Sequence, residues 1–248
     1  MNMITNNPFH LRDKTILVTG ASSGIGREVA IQCAQVGARL VISGRDATRL
    51  DETLAALPGS DHRSVVADLK DQEQLYALIE QAGSIDGVVH GAGIRGLSPI
   101  RMISQSFLDN VFSINFNVPA LLTQRLLYQK KIRDGGSIVF MTSLAAHTGT
   151  VGVGPYSASK AALVGLMRCL ALEVAKRGIR ANALAPGLVN TPLVNHARAW
   201  LDEQDKIYPL GVGRPEDVAY AAVYFLSDAS RKVTGTSFNL DGGILYTD

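Results

Sequence analysis

Thr15-Ile16-Leu17-Val18-Thr19-Gly20-Ala21-Ser22-Ser23-Gly24-Ile25-Gly26 joins a short apolar run to a helix-patterned one, Ile25 to Val36, through a turn rich in glycine. The β-branched and aliphatic residues at its start predict a strand, and the apolar spacing after Gly24 predicts a helix. Glycine at such a junction permits a tight turn, a close approach of backbone to a phosphate and tight packing of helix on strand. The helix N-terminus adds unpaired N–H groups and the positive end of its dipole. A pyrophosphate site is therefore expected on Gly20, Ser22, Ser23, Gly24, Ile25 and Gly26. The turn lacks the Gly-Lys-Ser/Thr ending of phosphate loops, which argues against nucleotide hydrolysis.

The alternation repeats downstream. Strand-like runs at Arg39–Ser43, Ser64–Ala67, Gly87–His90, Ser137–Thr142, Arg180–Ala185 and Thr236–Leu240 are separated by helix-patterned segments at Ala47–Leu57, Asp71–Gln81, Ser106–Lys130, Tyr156–Lys176 and Pro215–Leu226. These runs are continuously apolar, as in strands buried on both faces. They predict a doubly wound, mostly parallel α/β sheet of about seven strands with helices on both faces, a Rossmann fold. Residues 1–248 read as one domain without linker or internal repeat. Ligands of such sheets bind at the carboxyl ends of the strands, so functional residues are expected in the loops that follow them. Residues 191–208 fall outside the alternation and are expected to form a substrate lid.

At 248 residues, 46% hydrophobic and 19% charged, the chain suits one globular domain and excludes a disordered or fibrous one. A net charge of +2 leaves no basic footprint, so a small-molecule partner is expected rather than nucleic acid or a membrane. The two cysteines, Cys33 and Cys169, have neither zinc-ligand nor disulfide spacing, and no metal is expected. No apolar stretch is long enough to span a bilayer, and Met1 to Leu11 lacks the pattern of a signal peptide, which makes the location expected cytoplasmic.

The second strand ends in Ser43-Gly44-Arg45, where an NAD-binding sheet of this type carries an acidic residue for the ribose hydroxyls. Arg45 suits a 2′-phosphate instead, so NADP(H) is expected over NAD(H). The competing reading of Arg45 is a solvated arginine beside Asp46 and Arg49. Asp68, after the third strand, either meets the adenine edge or caps the helix near Asp71. Tyr156 and Lys160 stand four apart behind Pro155 and share one face at the start of a helix. Ser143 lies just past the fifth strand, and Asn115 falls within the preceding helical segment. An ammonium one turn from a phenol favours the phenolate, so Lys160 is expected to lower the Tyr156 pKa from its usual value of about 10.

These motifs resemble those of the short-chain dehydrogenase/reductase family in its compact single-domain form, from about Leu11 to Gly243. The family's Thr-Gly-x-x-x-Gly-x-Gly falls on Thr19 to Gly26, and its Asn-Ser-Tyr-Lys tetrad on Asn115, Ser143, Tyr156 and Lys160. Its Pro-Gly motif falls on Pro186-Gly187, followed by Thr191, and its Asp-Gly-Gly on Asp241-Gly242-Gly243. The resemblance implies interconversion of a ketone and a secondary alcohol by hydride transfer, with Tyr156 as general acid or base and Ser143 polarising the substrate oxygen. Lys160 would bind the nicotinamide ribose, and Asn115 would hold a water. Further cofactor contacts are implied at Asp68 and Leu69, at Gly91, Ala92 and Gly93 beside the adenosine ribose, at Tyr156, and at Pro186, Gly187, Val189 and Thr191 around the nicotinamide. One departure stands out: the family's Asn-Asn-Ala-Gly is His90-Gly91-Ala92-Gly93, with both asparagines missing. His90 reads as a buried, hydrogen-bonded residue rather than a catalytic one.

Within the family the motif set resembles the 3-oxoacyl-acyl-carrier-protein reductases, which implies a substrate carried on acyl-carrier protein. Arg133 and Arg177 would either meet that carrier or remain solvated. A sugar, polyol or other secondary-alcohol dehydrogenase is the alternative, and the complete tetrad disfavours a non-catalytic dinucleotide sensor. Enoyl reductases of this fold place the lysine further along the helix, at a position that is Leu163 here. Leu193, Val194, His196, Trp200 and Leu201 read either as a lid for a lipophilic substrate or as packing against the core or a neighbouring subunit. Leu163, Met167, Leu170 and Val174 recur at helical spacing and read as core or subunit interface. A homo-oligomer, tetramer or dimer, is implied by the resemblance alone.

Overall fold

The computed structural model describes residues 7–194 and 198–246, so the expectation at His196 lies outside the described residues. The apolar runs form strands β1 (Thr15–Thr19), β2 (Arg39–Gly44), β3 (Arg63–Val66), β4 (Ile85–His90), β5 (Ile132–Met141), β6 (Arg180–Pro186) and β7 (Ser237–Leu240). They pair in one sheet of order β3-β2-β1-β4-β5-β6-β7, every neighbour parallel. Between them run helices α1 (Gly24–Gln35), α2 (Ala47–Ala55), α3 (Gln72–Ala82), α4 (Gln105–Phe112), α5 (Val118–Tyr128), α6 (Gly154–Val174), α7 (Arg198–Asp205) and α8 (Pro215–Leu226). This is the doubly wound Rossmann sheet that the alternation predicts.

Successive strand residues point to opposite faces, and both faces are covered. Ile16, Val18, Leu40, Ile42, Val139 and Leu184 pack on one side with Val29 of α1, Leu50 of α2 and Phe225 of α8. Leu17, Val41, Val88, Ile138 and Phe140 pack on the other with Leu78 of α3, Leu122 of α5 and Met167 of α6. Leu163, Leu170 and Val174 join that second cluster, so the α6 stripe is core.

Three local features depart from the sequence reading. The long segment Ser106–Lys130 is two helices joined by a π-turn, Ser113–Asn117. β5 starts at Ile132 rather than Ser137, with a register irregularity between Ile85 and Gly87 across from Gly135, whose φ of +80° suits glycine. The stretch expected as a lid contains α7, Arg198–Asp205, a short and predominantly polar helix. Elsewhere a buried arginine ties elements together. The Arg180 guanidinium donates to the carbonyls of Phe225 (2.7 Å) and Ser227 (3.2 Å) and to Ser230 Oγ (2.6 Å), satisfying the carboxyl end of α8 from within the sheet.

His90, which stands where the family has asparagine, ends β4 on the second face. Its Nε2 lies 2.8 Å from Thr123 Oγ1, its ring stacks on Phe140 with centroids 4.9 Å apart, and its Nδ1 has no hydrogen-bond partner. Burial pushes its pKa down from 6.5 to about 3, because an imidazolium there would be stranded from water. The unfolded chain therefore takes up a proton on His90 below pH 6.5, while the folded chain resists until about pH 3. Stability is lost as pH falls through that window, by about 2 kcal/mol from this residue on reaching about pH 5. His90→Asn should remove this part of the acid sensitivity, measured as the change in Tm between about pH 7 and about pH 5. An equal change in both proteins would mean that His90 is already protonated in the fold.

Candidate active site

The chain winds outward from β1 to β3 on one side and from β4 to β7 on the other, so the loops after β1 and β4 part above the carboxyl ends of the strands. A cavity of about 730 Å³ occupies that crevice. Gly20 holds φ at +68°, and a Cβ there would lie 2.7 Å from the Ala92 backbone, so the two loops meet only because Gly20 lacks a side chain. A Cβ on Gly26 would run into the Gly20 carbonyl, which sets α1 directly behind the turn. Ser22, Ser23, Gly24 and Ile25 complete this wall, with Gly91, Ala92 and Gly93 opposite. No side chain caps α1 and its first turn holds no acidic residue. The N–H groups of that turn and its positive dipole end thus suit an anion.

Arg45 lines the cavity and a recess beside it that also holds Ser22, Asp46 and Arg49. Asp46 is taken by Arg49, with Nε to Oδ2 at 2.7 Å, and it also caps α2. Among the described residues Arg45 has no carboxylate partner. Asp68 and Leu69 lie on the same wall. The Asp68 Oδ1 accepts the Lys70 N–H at 3.1 Å, whereas Asp71 itself caps α3. Asp68 thus orders its own turn and is not the helix cap.

Tyr156 and Lys160 enter the cavity from the start of α6, and Ser143 faces them from the end of β5. Burial pushes the Tyr156 phenol above its ordinary pKa, and the nearby Ser143 hydroxyl and the Arg95 guanidinium act in the opposite direction. The net direction is therefore upward, against the lowering expected from Lys160, because burial outweighs the groups that favour the phenolate. The Lys160 Nζ lies 5.8 Å from the Tyr156 ring centre and donates to the Met141 carbonyl at 2.8 Å, and burial brings its own pKa down to about 8.

Asn115 does not line the cavity; it sits behind it, fully buried in the π-turn. Its Oδ1 accepts the Ile94 N–H at 2.9 Å, and its Nδ2 donates to the Ile94 carbonyl at 3.0 Å and to Ser159 Oγ at 3.1 Å. Ser159 Oγ donates in turn to the Tyr156 carbonyl at 2.7 Å. One amide therefore ties the loop after β4 to the first turn of α6.

Pro186, Gly187, Val189 and Thr191 line the end of the cavity beneath β6. Thr191 is buried against Gly24, 3.5 Å from where a Cβ of Gly24 would stand. Gly187 donates to the Leu240 carbonyl at 2.9 Å, and Leu188 donates to the Tyr208 hydroxyl at 3.2 Å. Asp241 accepts the N–H groups of Gly243 and Leu245, so the Asp-Gly-Gly motif is a turn packed on Tyr208 and Pro209. Leu193, Val194 and Trp200 line the cavity, while Leu201 is buried away from it.

The site also holds residues that the sequence reading passed over, above all Arg95, which faces Tyr156 and Trp200. Its only sequence signal is a place two residues beyond Gly93. Arg133 and Arg177 lie at the other end of the sheet, near the starts of β5 and β6. They pair with Asp86 (2.6 Å) and Asp134 (2.8 Å), so neither faces the cavity.

A family model described as Enoyl-(Acyl carrier protein) reductase matches residues 20–245. Dehydrogenase/reductase SDR family member 4 of Homo sapiens is 33% identical over 246 residues, spanning 94% of this chain and 88% of that protein. The 3-oxoacyl-[acyl-carrier-protein] reductase of Rickettsia prowazekii (strain Madrid E) is 35% identical over 239 residues, spanning 95% and 98%. A solved structure from Beutenbergia cavernae, described as a candidate NAD(P)-dependent gluconate 5-dehydrogenase with NADP bound at low occupancy, superposes with a TM-score of 0.87. It is 35% identical and covers 97% of this chain and all of its own. Similarity of this extent makes the chain an oxidoreductase of the short-chain dehydrogenase/reductase family.

Proposed function

We propose that the protein interconverts a ketone and a secondary alcohol with NADP(H), by the reaction ketone + NADPH + H⁺ ⇌ secondary alcohol + NADP⁺. The observation that carries this reading is that Tyr156, Ser143 and Lys160 line the same cavity as the glycine turn after β1. The residues present fit a dinucleotide. The α1 N-terminus and the backbone of Gly20 to Gly26 suit its pyrophosphate, and Arg45 with Arg49 suits a 2′-phosphate. When bound, the nicotinamide supplies or accepts the hydride.

Tyr156 donates its proton to the substrate oxygen in reduction and takes it back in oxidation. Ser143 Oγ accepts the Ala145 N–H at 3.2 Å, which leaves its O–H as the donor that holds that same oxygen. Lys160, with a pKa of about 8, is mostly charged at neutral pH and binds ribose hydroxyls next to Tyr156. Asn115 is a positioning residue, which fixes the loop after β4 against α6. Backbone of Gly91 to Gly93 faces the adenosine ribose, and Asp68 and Leu69 the adenine. Pro186 to Thr191 hold the carboxamide end, and Leu193, Val194, Trp200, Gln204 and Tyr208, from the described part of the expected lid, cover the substrate, all within one domain.

For the substrate, the relative from Rickettsia supports a 3-oxoacyl thioester. A hydroxylated substrate is favoured by Thr148, Thr150 and Gln204 in the cavity wall and by the description of the Beutenbergia structure. A carrier protein would have to approach without Arg133 and Arg177, which face away. Leu163 is fully buried in the core, which leaves an enoyl reductase without a lysine at that position.

Tyr156→Phe should lower kcat by roughly a thousandfold while leaving NADPH binding, read from its fluorescence, within about twofold. Turnover near the original rate would remove Tyr156 from the chemistry. Arg45→Asp should raise the Kd for NADPH by roughly tenfold or more with little effect on NADH. Unchanged preference would place the 2′-phosphate elsewhere.

A further inference from the structure

Arg95 is a half-buried cation that lines the cavity without a carboxylate partner among the described residues. Its guanidinium carbon lies 6.0 Å from the Trp200 ring centre, and its charge reaches the Tyr156 phenol. Lys160, the other cation of the described residues that lines the cavity beside Tyr156, is turned to the Met141 carbonyl. Among the described residues no acidic side chain lines this end of the cavity, Asp68 being at the opposite end.

The loop that presents Arg95 is held on both sides. Asn115 grips both the N–H and the carbonyl of Ile94, just before it. Gly96, just after it, is buried so closely that a Cβ would lie 2.6 Å from Val111 Cγ2. An arginine so placed is pre-organised, and a desolvated guanidinium is satisfied best by an anion with two in-plane oxygens.

From this placement we infer that Arg95 is a specificity-determining residue that binds a carboxylate of the substrate, making the substrate an oxo acid or hydroxy acid whose charged end lies between Tyr156 and Trp200. The inference rests on the proposed ketone and alcohol chemistry for the orientation of the substrate. The carboxylate must lie a few bonds from the reacting carbon, because Arg95 and Ser143 approach Tyr156 from different loops.

Trp200 is the only tryptophan in the chain, so its emission reports binding directly. The probes are 4-oxopentanoate and its methyl ester, titrated with and without NADP⁺, alongside their reduction by NADPH. The acid should bind roughly tenfold more tightly than the ester, and added salt should weaken that preference. Arg95→Met should abolish the preference and Arg95→Lys should keep part of it, with KM for the acid rising more than kcat falls. Should Arg95→Met fail to fold, Arg95→Lys and the salt dependence carry the test. Equal binding of acid and ester, binding of neither, or a preference that survives Arg95→Met overturns the inference. Reduction of both ketones without preference overturns it while leaving the ketone chemistry standing. An Arg95-dependent preference with no reduction of either keeps the carboxylate site and removes the chemistry.

Discussion

The backbone of Gly20 and the backbone of Ala92 come so close that a single methyl group at Gly20 would force them apart. That contact joins the turn after β1 to the loop after β4 at the place where the sheet changes winding direction. With Gly26 pressed against the Gly20 carbonyl, it also fixes where α1 begins and hence where its free N–H groups point. The two walls of the cavity are therefore positioned by main chain rather than by side chains. A wall of that kind can take a ligand's phosphates without rotamer entropy to lose.

Charge is distributed along the cavity in an ordered way. Arg45 and Arg49 lie at one end, the α1 N-terminus in the middle, and Lys160 and Arg95 at the other. Each suits a negative group, although the whole chain carries a net charge of only +2. Cations elsewhere are matched by carboxylates and add no net charge, as with Arg133 and Asp86 or Arg177 and Asp134 at the opposite end of the central strands. Near-neutral composition thus conceals a locally cationic cleft, a difference that counting residues does not reveal.

The strands were legible because burial on both faces leaves continuous apolar runs, and each of the seven falls within a few residues of its expected place. The glycine turn was legible because backbone conformation restricts residue type there. Every expected site residue except Asn115 lines the cavity. What escaped were features that depend on tertiary contact. The π-turn at Ser113–Asn117 has no local sequence signature, because it is stabilised by what Asn115 reaches on Ile94 and Ser159. Arg95 looked like any loop arginine, since its neighbours Tyr156 and Trp200 are distant in sequence. The direction of the Tyr156 pKa was equally out of reach, because burial of the phenol is a tertiary property. Helical spacing put Lys160 near Tyr156 and said nothing of the Met141 carbonyl that holds it.

The guanidinium of Arg180 adds a thermodynamic consequence. It is buried in β6 and its hydrogen bonds hold the last carbonyls of α8, while α8 packs against α1 over the face that carries the glycine turn. Fraying of the α8 terminus would break the charge-assisted bonds of Arg180 to the Phe225 and Ser227 carbonyls, each worth about 1.5–3 kcal/mol. Local opening at that end is therefore suppressed, and α8 and β6 open together with the sheet as one cooperative unit. Amide protons at the carboxyl end of this helix would then exchange with solvent as slowly as those of the central strands, an inversion of the usual gradient from helix terminus to core.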